Sequence, residues 1–128
     1  MTAAFLVFFG AGVGGLFRHF ANLAGVRLLG FPHFPFTTMA VNILGCFVMG
    51  AFTAFFMSPA GSGIPQHVRL FLTTGMLGGF TTYSTFSLEF AVLVERGEPM
   101  QAALYAGGTL VLCLIGVFAG LFLVRGFS

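Results

Sequence analysis

The sequence predicts an all-α integral membrane protein with four transmembrane helices per subunit, the third of which is broken. Of the 128 residues, 58% are hydrophobic and only 6% are charged, and there is no lysine or aspartate. A soluble domain has about 25% charged residues, so this chain cannot cover a water-facing surface. Apolar runs of about 20 residues, the length that crosses a bilayer, recur four times. They leave no room for a separate soluble domain.

A polar, glycine-rich stretch interrupts the third apolar run at residues 75–87. It combines glycines, which weaken a helix, with several serine and threonine hydroxyls. Backbone freed from helical hydrogen bonds at membrane depth is tolerated only where protein or a water-filled cavity satisfies it. We therefore predict that the third helix is broken here and that the break forms a functional site.

The first span is predicted over residues 3–25. Residues four apart share one face of this helix: Gly10, Gly14, Arg18 and Asn22. Small residues at this spacing let a second helix approach closely. Arg18 lies near the end of the span, where it is either a snorkelling anchor or a functional cation.

The second span is predicted over residues 36–57, and the composition of 58–65 is typical of a turn. One face of the span carries Thr38, Asn42, Gly45 and Met49. Asn42 has four hydrogen-bonding sites to satisfy. It therefore either holds two helices together or lines a polar path.

The third span is predicted over residues 67–94, which is longer than a bilayer requires and suits a broken or tilted helix. Thr81, Thr85 and Glu89 stand at i, i+4 and i+8. This spacing predicts a polar stripe that ends in a carboxylate near the end of the span.

Two aromatic residues of the third span, Tyr83 and Phe86, are three positions apart and are expected to face one way. Aromatic side chains in membrane helices mostly pack, but these two flank Ser84 and Thr85 directly after the glycines. An aromatic ring has a positive edge. Ring edges along a narrow path can contact an anion without presenting a full charge that would trap it.

The fourth span is predicted over residues 100–124, after a turn at 96–99. One of its faces carries Tyr105, Thr109, Cys113, Gly116 and Gly120.

The arginines give no preferred orientation in the membrane. With four spans, Arg69 and Arg125 flank one membrane face, whereas Arg27 and Arg96 flank the other. The positive-inside rule then favours neither orientation unless Arg18 reaches an interface. Balanced charge allows insertion both ways and hence a dual-topology antiparallel homodimer; the alternative is that other features of the chain favour one orientation. No basic patch indicates a nucleic-acid partner.

The sequence argues against an enzyme. His19, His33 and His67 are scattered around span ends, and none has a second ligand at metal-binding spacing. The serines have no plausible histidine and aspartate partners. Cys46 and Cys113 fall inside apolar runs and are expected to be buried free thiols.

Three motifs resemble one known family. They are Gly78–Ser87 (GGFTTYSTFS) in the third span, Gly14–Arg18 (GGLFR) in the first and Val41–Gly45 (VNILG) in the second. The third-span motif is highly specific, and the length and four-span layout fit from end to end. On these residues the chain resembles the Fluc (CrcB) fluoride channels.

The resemblance implies an antiparallel dimer with two fluoride pores, each built from residues of both subunits. It also implies a structural sodium ion at the centre of the dimer, held by the backbone carbonyls of Gly78 and Thr81. The pore residues that it implies are Asn42, Tyr83, Phe86, Ser84, Thr85, Thr38, Tyr105 and Glu89, with Arg18 near a vestibule.

The chain departs from the family pattern at two places. Tyr83 stands where phenylalanine is usual, and its hydroxyl adds a donor and an acceptor beside the pore. Cys113 and Val117 stand where serine and threonine often occur in the fourth span, although Thr109 remains available as a donor. We expect a functional channel.

The leading functional hypothesis is passive, selective export of fluoride across the cell membrane. Hydrogen fluoride crosses a bilayer as a neutral acid and dissociates in a near-neutral cytoplasm, which traps the anion. A channel lets the membrane potential drive the anion out, at about 2.3 kcal/mol per elementary charge per 100 mV.

Two other readings are a small dual-topology multidrug transporter and a non-conducting scaffold subunit. Proton-coupled export of that kind calls for a membrane-embedded carboxylate, typically in the first span. Here the acids Glu89, Glu95 and Glu98 all come late. A scaffold would leave the hydroxyls of the broken helix without a role.

Overall fold

The computed structural model of the protein describes residues 1–30 and 34–127. His33, one of the histidines considered above, lies outside the described residues. Within these ranges the secondary structure is helical, without strands. Its elements are α1 (Thr2–Leu29), α2 (Phe36–Met57), α3 (Gln66–Leu70), a π-helical segment (Phe71–Leu77), α4 (Gly78–Phe80), α5 (Tyr83–Glu95) and α6 (Pro99–Phe127).

Three of these helices, α1, α2 and α6, are long and apolar enough to cross a membrane. α1 has 28 residues, and at about 1.5 Å per residue it exceeds the roughly 30 Å of a hydrocarbon core. The protein is therefore a multi-pass membrane protein. Residues 66–95 are divided into shorter pieces.

α2 and α6 run side by side in the same direction. A Cβ atom at Gly116 would lie 3.2 Å from the carbonyl oxygen of Ile43, and one at Gly120 would overlap the carbonyl of Phe47. A step of four residues along α6, from Gly116 to Gly120, therefore moves the contact four residues along α2, from Ile43 to Phe47. The two helices are therefore parallel. Glycine at these places brings the two backbones together, as small residues do between membrane helices.

α1 packs in the same way against residues 66–80, which we call the first arm. A Cβ atom at Gly10 would lie 2.6 Å from the carbonyl oxygen of Phe71, and one at Gly14 would overlap the carbonyl of Met76. The prediction that Gly10 and Gly14 admit a close neighbour is confirmed. α1 and the first arm also run in the same direction, because the contact moves from Phe71 to Met76 as α1 advances from Gly10 to Gly14.

The glycines of the first arm serve packing rather than unwinding. A Cβ atom at Gly75 would lie 3.0 Å from the carbonyl oxygen of Val7, and one at Gly79 would overlap the carbonyl of Ala11. The backbone around both glycines remains helical. The interruption predicted within this stretch therefore does not unwind the backbone at these two glycines.

The interruption lies at Thr81 and Thr82. Thr81 has φ −80° and ψ 157°, and Thr82 has φ −149° and ψ 121°, so both are extended. α5 begins at the next residue. The predicted stripe of Thr81, Thr85 and Glu89 on one helix is wrong at its first member, because Thr81 precedes α5 and its hydroxyl bonds back to the carbonyl of Leu77 at 3.0 Å.

Arg69 fixes the connection between α2 and the first arm. Its guanidinium donates to the carbonyl oxygens of Ile64 and Ser62 at 3.1 and 3.2 Å, and it lies 5.3 Å from the ring centroid of Phe56. These contacts satisfy carbonyls that the turn at 58–65 leaves outside any helix. They hold Arg69 at the same end of the helical bundle as the C-terminus of α2.

Candidate functional site

Asn42 is bonded at both ends of its amide to the backbone of Thr82. Its Nδ2 donates to the carbonyl oxygen of Thr82 at 3.1 Å, and its Oδ1 accepts from the Thr82 amide at 2.9 Å. Both residues are buried. Asn42 therefore replaces the helical partners that an extended Thr82 has lost, which stabilises the interruption.

Thr82 starts α5 as its N-cap. Its hydroxyl oxygen accepts a hydrogen bond from the amide of Thr85 at 3.2 Å and lies 3.5 Å from the hydroxyl of Ser84. Threonine is a favoured N-cap because its oxygen satisfies one of the free amides of the first turn. Sequence reasoning assigned no role to Thr82, although a hydroxyl residue three positions before Thr85 was a usable N-cap signal.

Because the backbone amides of Thr82 and Thr85 donate to side chains, two carbonyl groups lack their usual helical donors. In a continuous helix the amide of Thr82 would bond to the carbonyl of Gly78, and the amide of Thr85 to that of Thr81. The first amide instead donates to Asn42 and the second to the Thr82 hydroxyl. Carbonyl oxygens at an unwound helix are ligands that suit a hard cation such as Na⁺. The residues present therefore fit a sodium ion.

A cavity of about 350 Å³ opens beside the interruption, between α2, α5 and α6. The rings of Tyr83 and Phe86 line it, with centroids 5.8 Å apart. Phe86 also lies 5.0 Å from the ring of Tyr105, which is fully buried. The cavity thus combines an apolar wall with ring edges and the amide of Asn42.

Thr109 lines this cavity and carries a buried hydroxyl group without a partner. It is only 7% exposed, and among the described residues its Oγ1 has no hydrogen-bonding partner. Buried polar groups are nearly always bonded, because leaving one unpaired costs about 1–3 kcal/mol. The hydroxyl oxygen is itself almost inaccessible, so it lies next to the cavity without being exposed in it.

A second polar cluster lies one helical turn away, around the carboxylate of Glu89. Thr38 donates to its Oε1 at 2.7 Å, and the Tyr105 hydroxyl donates to its Oε2 at 3.3 Å. Thr38 is buried and Tyr105 is inaccessible, so the carboxylate is held by two protected donors. Three residues from different predicted spans therefore form one network, and none of these contacts was readable from sequence.

A larger cavity of about 640 Å³ begins at this network and opens toward Asn22, Arg96 and Glu98. Thr38 and Glu89 line it, whereas Asn42 and Phe86, one turn along the same two helices, line the smaller cavity. Thr38, Asn42 and Glu89 thus form a row of polar groups along α2 and α5, with members that line each of the two cavities.

The remaining predicted residues are placed differently. Ser84 is exposed beside Tyr83, whose side chain is 81% exposed, and Thr85 is half-buried. The side chain of Thr81 lies against α2, where a Cβ atom at position 45 would overlap it. Arg18 is half-buried in α1 and is not among the described residues that line either cavity.

Comparison with known proteins places this arrangement in a family. The sequence matches the family described as "CrcB-like protein, Camphor Resistance (CrcB)" over residues 5–121. A protein of Rhodopseudomonas palustris named "Fluoride-specific ion channel FluC" is 50% identical over 96% of this chain and 97% of its own length. A protein of the same name from Methylobacterium nodulans is 50% identical over the whole of both chains.

These names describe ion channels, which agrees with the prediction that the chain is not an enzyme. Both relatives are covered almost completely, so the likeness extends to every helix described above. A match over residues 5–121 and 50% identity leave no ambiguity about kinship. The chain belongs to the CrcB family.

Proposed function

We propose that this protein is a fluoride-specific ion channel that lets fluoride leave the cell passively. The observation that carries the proposal is the smaller cavity, which the rings of Tyr83 and Phe86 line together with Asn42. The relatives named as fluoride-specific channels support the choice of ion. No chemistry on the protein's part is needed beyond binding and release.

The donors of this cavity suit a small anion that must move on. Conduction requires binding that is favourable enough for an ion to arrive and weak enough for it to leave. The side-chain amide of Asn42 and the aromatic rings, whose edges are positive, offer attraction without a fixed positive charge. Fluoride gives up a strong hydration shell on leaving water, and donors from several directions replace part of it.

The path continues from the smaller cavity along the row of polar groups to the larger one. Beside Phe86 the ion meets Asn42, and one turn further it passes the Thr38 and Tyr105 hydroxyls. Each of these hydroxyls donates its single hydrogen to Glu89, so it holds the carboxylate in place and can donate to fluoride only after releasing it. Ser84 and Thr85 add hydroxyls at the start of α5, and Arg18 is proposed to act near a vestibule rather than along the path.

Residues 66–95 are proposed to form the third of four membrane spans, broken at Thr81 and Thr82. The directions of the helices support this. α2 ends at Met57 and α6 begins at Pro99, yet the two run in the same direction side by side. The chain between them must therefore return across the full length of the bundle, and residues 66–95 make that return.

An antiparallel homodimer is proposed to complete the pathway. Gly78, Tyr83 and Ser84 are exposed around the break, at the depth of the membrane. Hydrocarbon offers no partner for their hydroxyl and carbonyl groups. A second copy would cover them, and the balance of two arginines at each membrane face permits the opposite orientation.

Sodium is proposed as a structural ion, held by the carbonyls of Gly78 and Thr81 and not transported. Two carbonyls from each copy would supply four oxygen ligands around a dimer axis. When bound, the cation supplies the positive charge that the diverted amides no longer provide to those oxygens. The protein's own contribution is to divert the usual amide donors away from both carbonyls through Asn42 and Thr82.

The proposed setting is the cell membrane of an organism exposed to acidic fluoride. Hydrogen fluoride enters as a neutral acid and dissociates inside, and the negative interior then favours efflux of the anion. The driving force is about 2.3 kcal/mol per 100 mV. The path therefore needs no nucleotide and no proton relay.

Fluoride efflux from liposomes tests the proposal. Liposomes with the purified protein are loaded with sodium fluoride, and a potassium gradient with valinomycin sets the potential. We expect fluoride, followed with a fluoride-selective electrode, to leave at least about tenfold faster than from protein-free liposomes, whereas chloride stays inside. A fluoride rate equal to that of protein-free liposomes, or equal rates for both anions, would contradict the proposal.

A further inference from the structure

The two cysteines of the chain lie together in the wall of the smaller cavity. Cys46 comes from α2 and Cys113 from α6, and both are half-buried free thiols. The pathway described above uses neither of them. A Cβ atom at Gly50 would overlap the carbonyl of Val117, and Cys46 and Cys113 each lie four residues, about one helical turn, before those two positions.

The packing of α2 against α6 fixes this juxtaposition. Cys46 lies between Ile43 and Phe47, whose backbones meet Gly116 of α6. Cys113 precedes that glycine by three residues, one helical turn. Because the two helices run in the same direction in backbone contact, neither thiol can move far from the other without separating the helices.

We propose that Cys46 and Cys113 form a binding site for a soft, two-coordinate divalent cation of the Hg²⁺ class, and that its occupation blocks the smaller cavity. Thiolates are the ligands that soft cations prefer. Binding converts two thiols and Hg²⁺ into an S–Hg–S unit and releases two protons. The product is neutral, so the apolar cavity wall does not have to hold an uncompensated charge.

The position of the two thiols in the wall of the smaller cavity determines the effect of metal binding on fluoride flux. Phe86 and Asn42 line the same 350 Å³ space, so a metal ion between the thiols would lie beside the residues proposed to contact fluoride. The block of flux therefore rests on the proposed function, whereas the binding of the metal does not.

The number of mercury atoms retained per protomer tests the site without any transport measurement. Purified protein is treated with HgCl₂, passed through gel filtration with an about tenfold molar excess of 2-mercaptoethanol, and analysed for mercury. We expect one mercury per protomer, because two linked thiolates outcompete a free monothiol. Cys46→Ser and Cys113→Ser should each fall to the level of the double serine variant. If either single variant retains as much mercury as the unaltered protein, or if the unaltered protein retains no more than the double variant, the proposal is wrong.

Fluoride efflux then tests the block. HgCl₂ with the same excess of 2-mercaptoethanol should slow efflux through the unaltered protein at least about tenfold, and dithiothreitol should restore it. Each serine variant should keep most of its own untreated rate, because the monothiol removes the metal from a single cysteine. An unaltered protein that retains mercury with undiminished efflux would overturn the block. If the untreated protein conducts no fluoride, the proposed function fails, but the mercury content still decides whether the site exists.

Discussion

Phe86→Ile is expected to reduce fluoride efflux at least about tenfold, equivalent to about 1.4 kcal/mol of barrier, while the protein remains folded and keeps the gel-filtration size of the unaltered protein. The phenylalanine ring lies 5.0 Å from Tyr105 and 5.8 Å from Tyr83, in the wall of the smaller cavity. Isoleucine keeps an apolar side chain but has no positive ring edge for an anion to contact.

Loss of stability does not explain such a result. An aromatic pair contributes about 0.5–1.5 kcal/mol beyond its buried area, which is small against a total stability of about 5–15 kcal/mol. Phe90→Ile is the matched control, because Phe90 lies one turn further along α5 and is not among the residues lining either cavity. Efflux is measured in liposomes and assembly by gel filtration. Equal efflux from both variants would show that the Phe86 ring only packs.

Replacing sodium by N-methylglucamine on both sides of the membrane is expected to lower fluoride efflux to the protein-free background. The carbonyls of Gly78 and Thr81 lack the helical donors that would satisfy them, and only a cation replaces those donors in the proposed dimer. Efflux is followed with the fluoride electrode as sodium is returned stepwise. Undiminished efflux without sodium would contradict the assignment to these carbonyls.

Thr82→Val tests whether the sodium dependence arises at these carbonyls or from a general need for salt. The variant removes the hydroxyl that accepts a hydrogen bond from the Thr85 amide, so that amide can donate to the carbonyl of Thr81 instead. An N-cap contributes about 1 kcal/mol, so the half-maximal sodium concentration should rise about fivefold. Thr73→Val is the control, because the Thr73 hydroxyl bonds only within its own helix, to the carbonyl of Arg69 at 2.7 Å. An equal shift in both variants would count against the site.

Some features of the fold were predictable because they depend on local sequence. The apolar runs require membrane helices, and α1, α2 and α6 have the length and composition to cross. The four-residue spacing of Gly10 and Gly14 predicted a close neighbour, and the backbone of the first arm occupies that place. Such patterns reveal a face of a helix but do not reveal which helix covers it.

The exact place of the interruption was not predictable in this way. Gly75 and Gly79 suggested unwinding, but the carbonyls of α1 lie where their side chains would be, so they are glycines because of packing. The break depends instead on Asn42, forty residues away in sequence, which supplies both hydrogen bonds for the Thr82 backbone. A long-range pair of this kind has no signal in a single sequence.

The residues of the candidate site also fall into two groups: those whose placement follows from local spacing, and those that only the packing of the helices brings together. Tyr83 and Phe86 were expected to face one way from their spacing, and their rings lie 5.8 Å apart on one cavity. The contacts of Glu89 with Thr38 and Tyr105 depend on how three helices pack, so residue type alone could not place them together.

The reversal potential of the current through a planar bilayer tests selective, passive fluoride conduction most directly. Both solutions contain equal sodium and equal total anion, and fluoride is tenfold more concentrated on one side, with chloride making up the difference. A fluoride-selective channel should reverse at about 59 mV in magnitude, the equilibrium value for one elementary charge and a tenfold gradient. A reversal near zero, which equal permeation by chloride or conduction of sodium would produce, would contradict it.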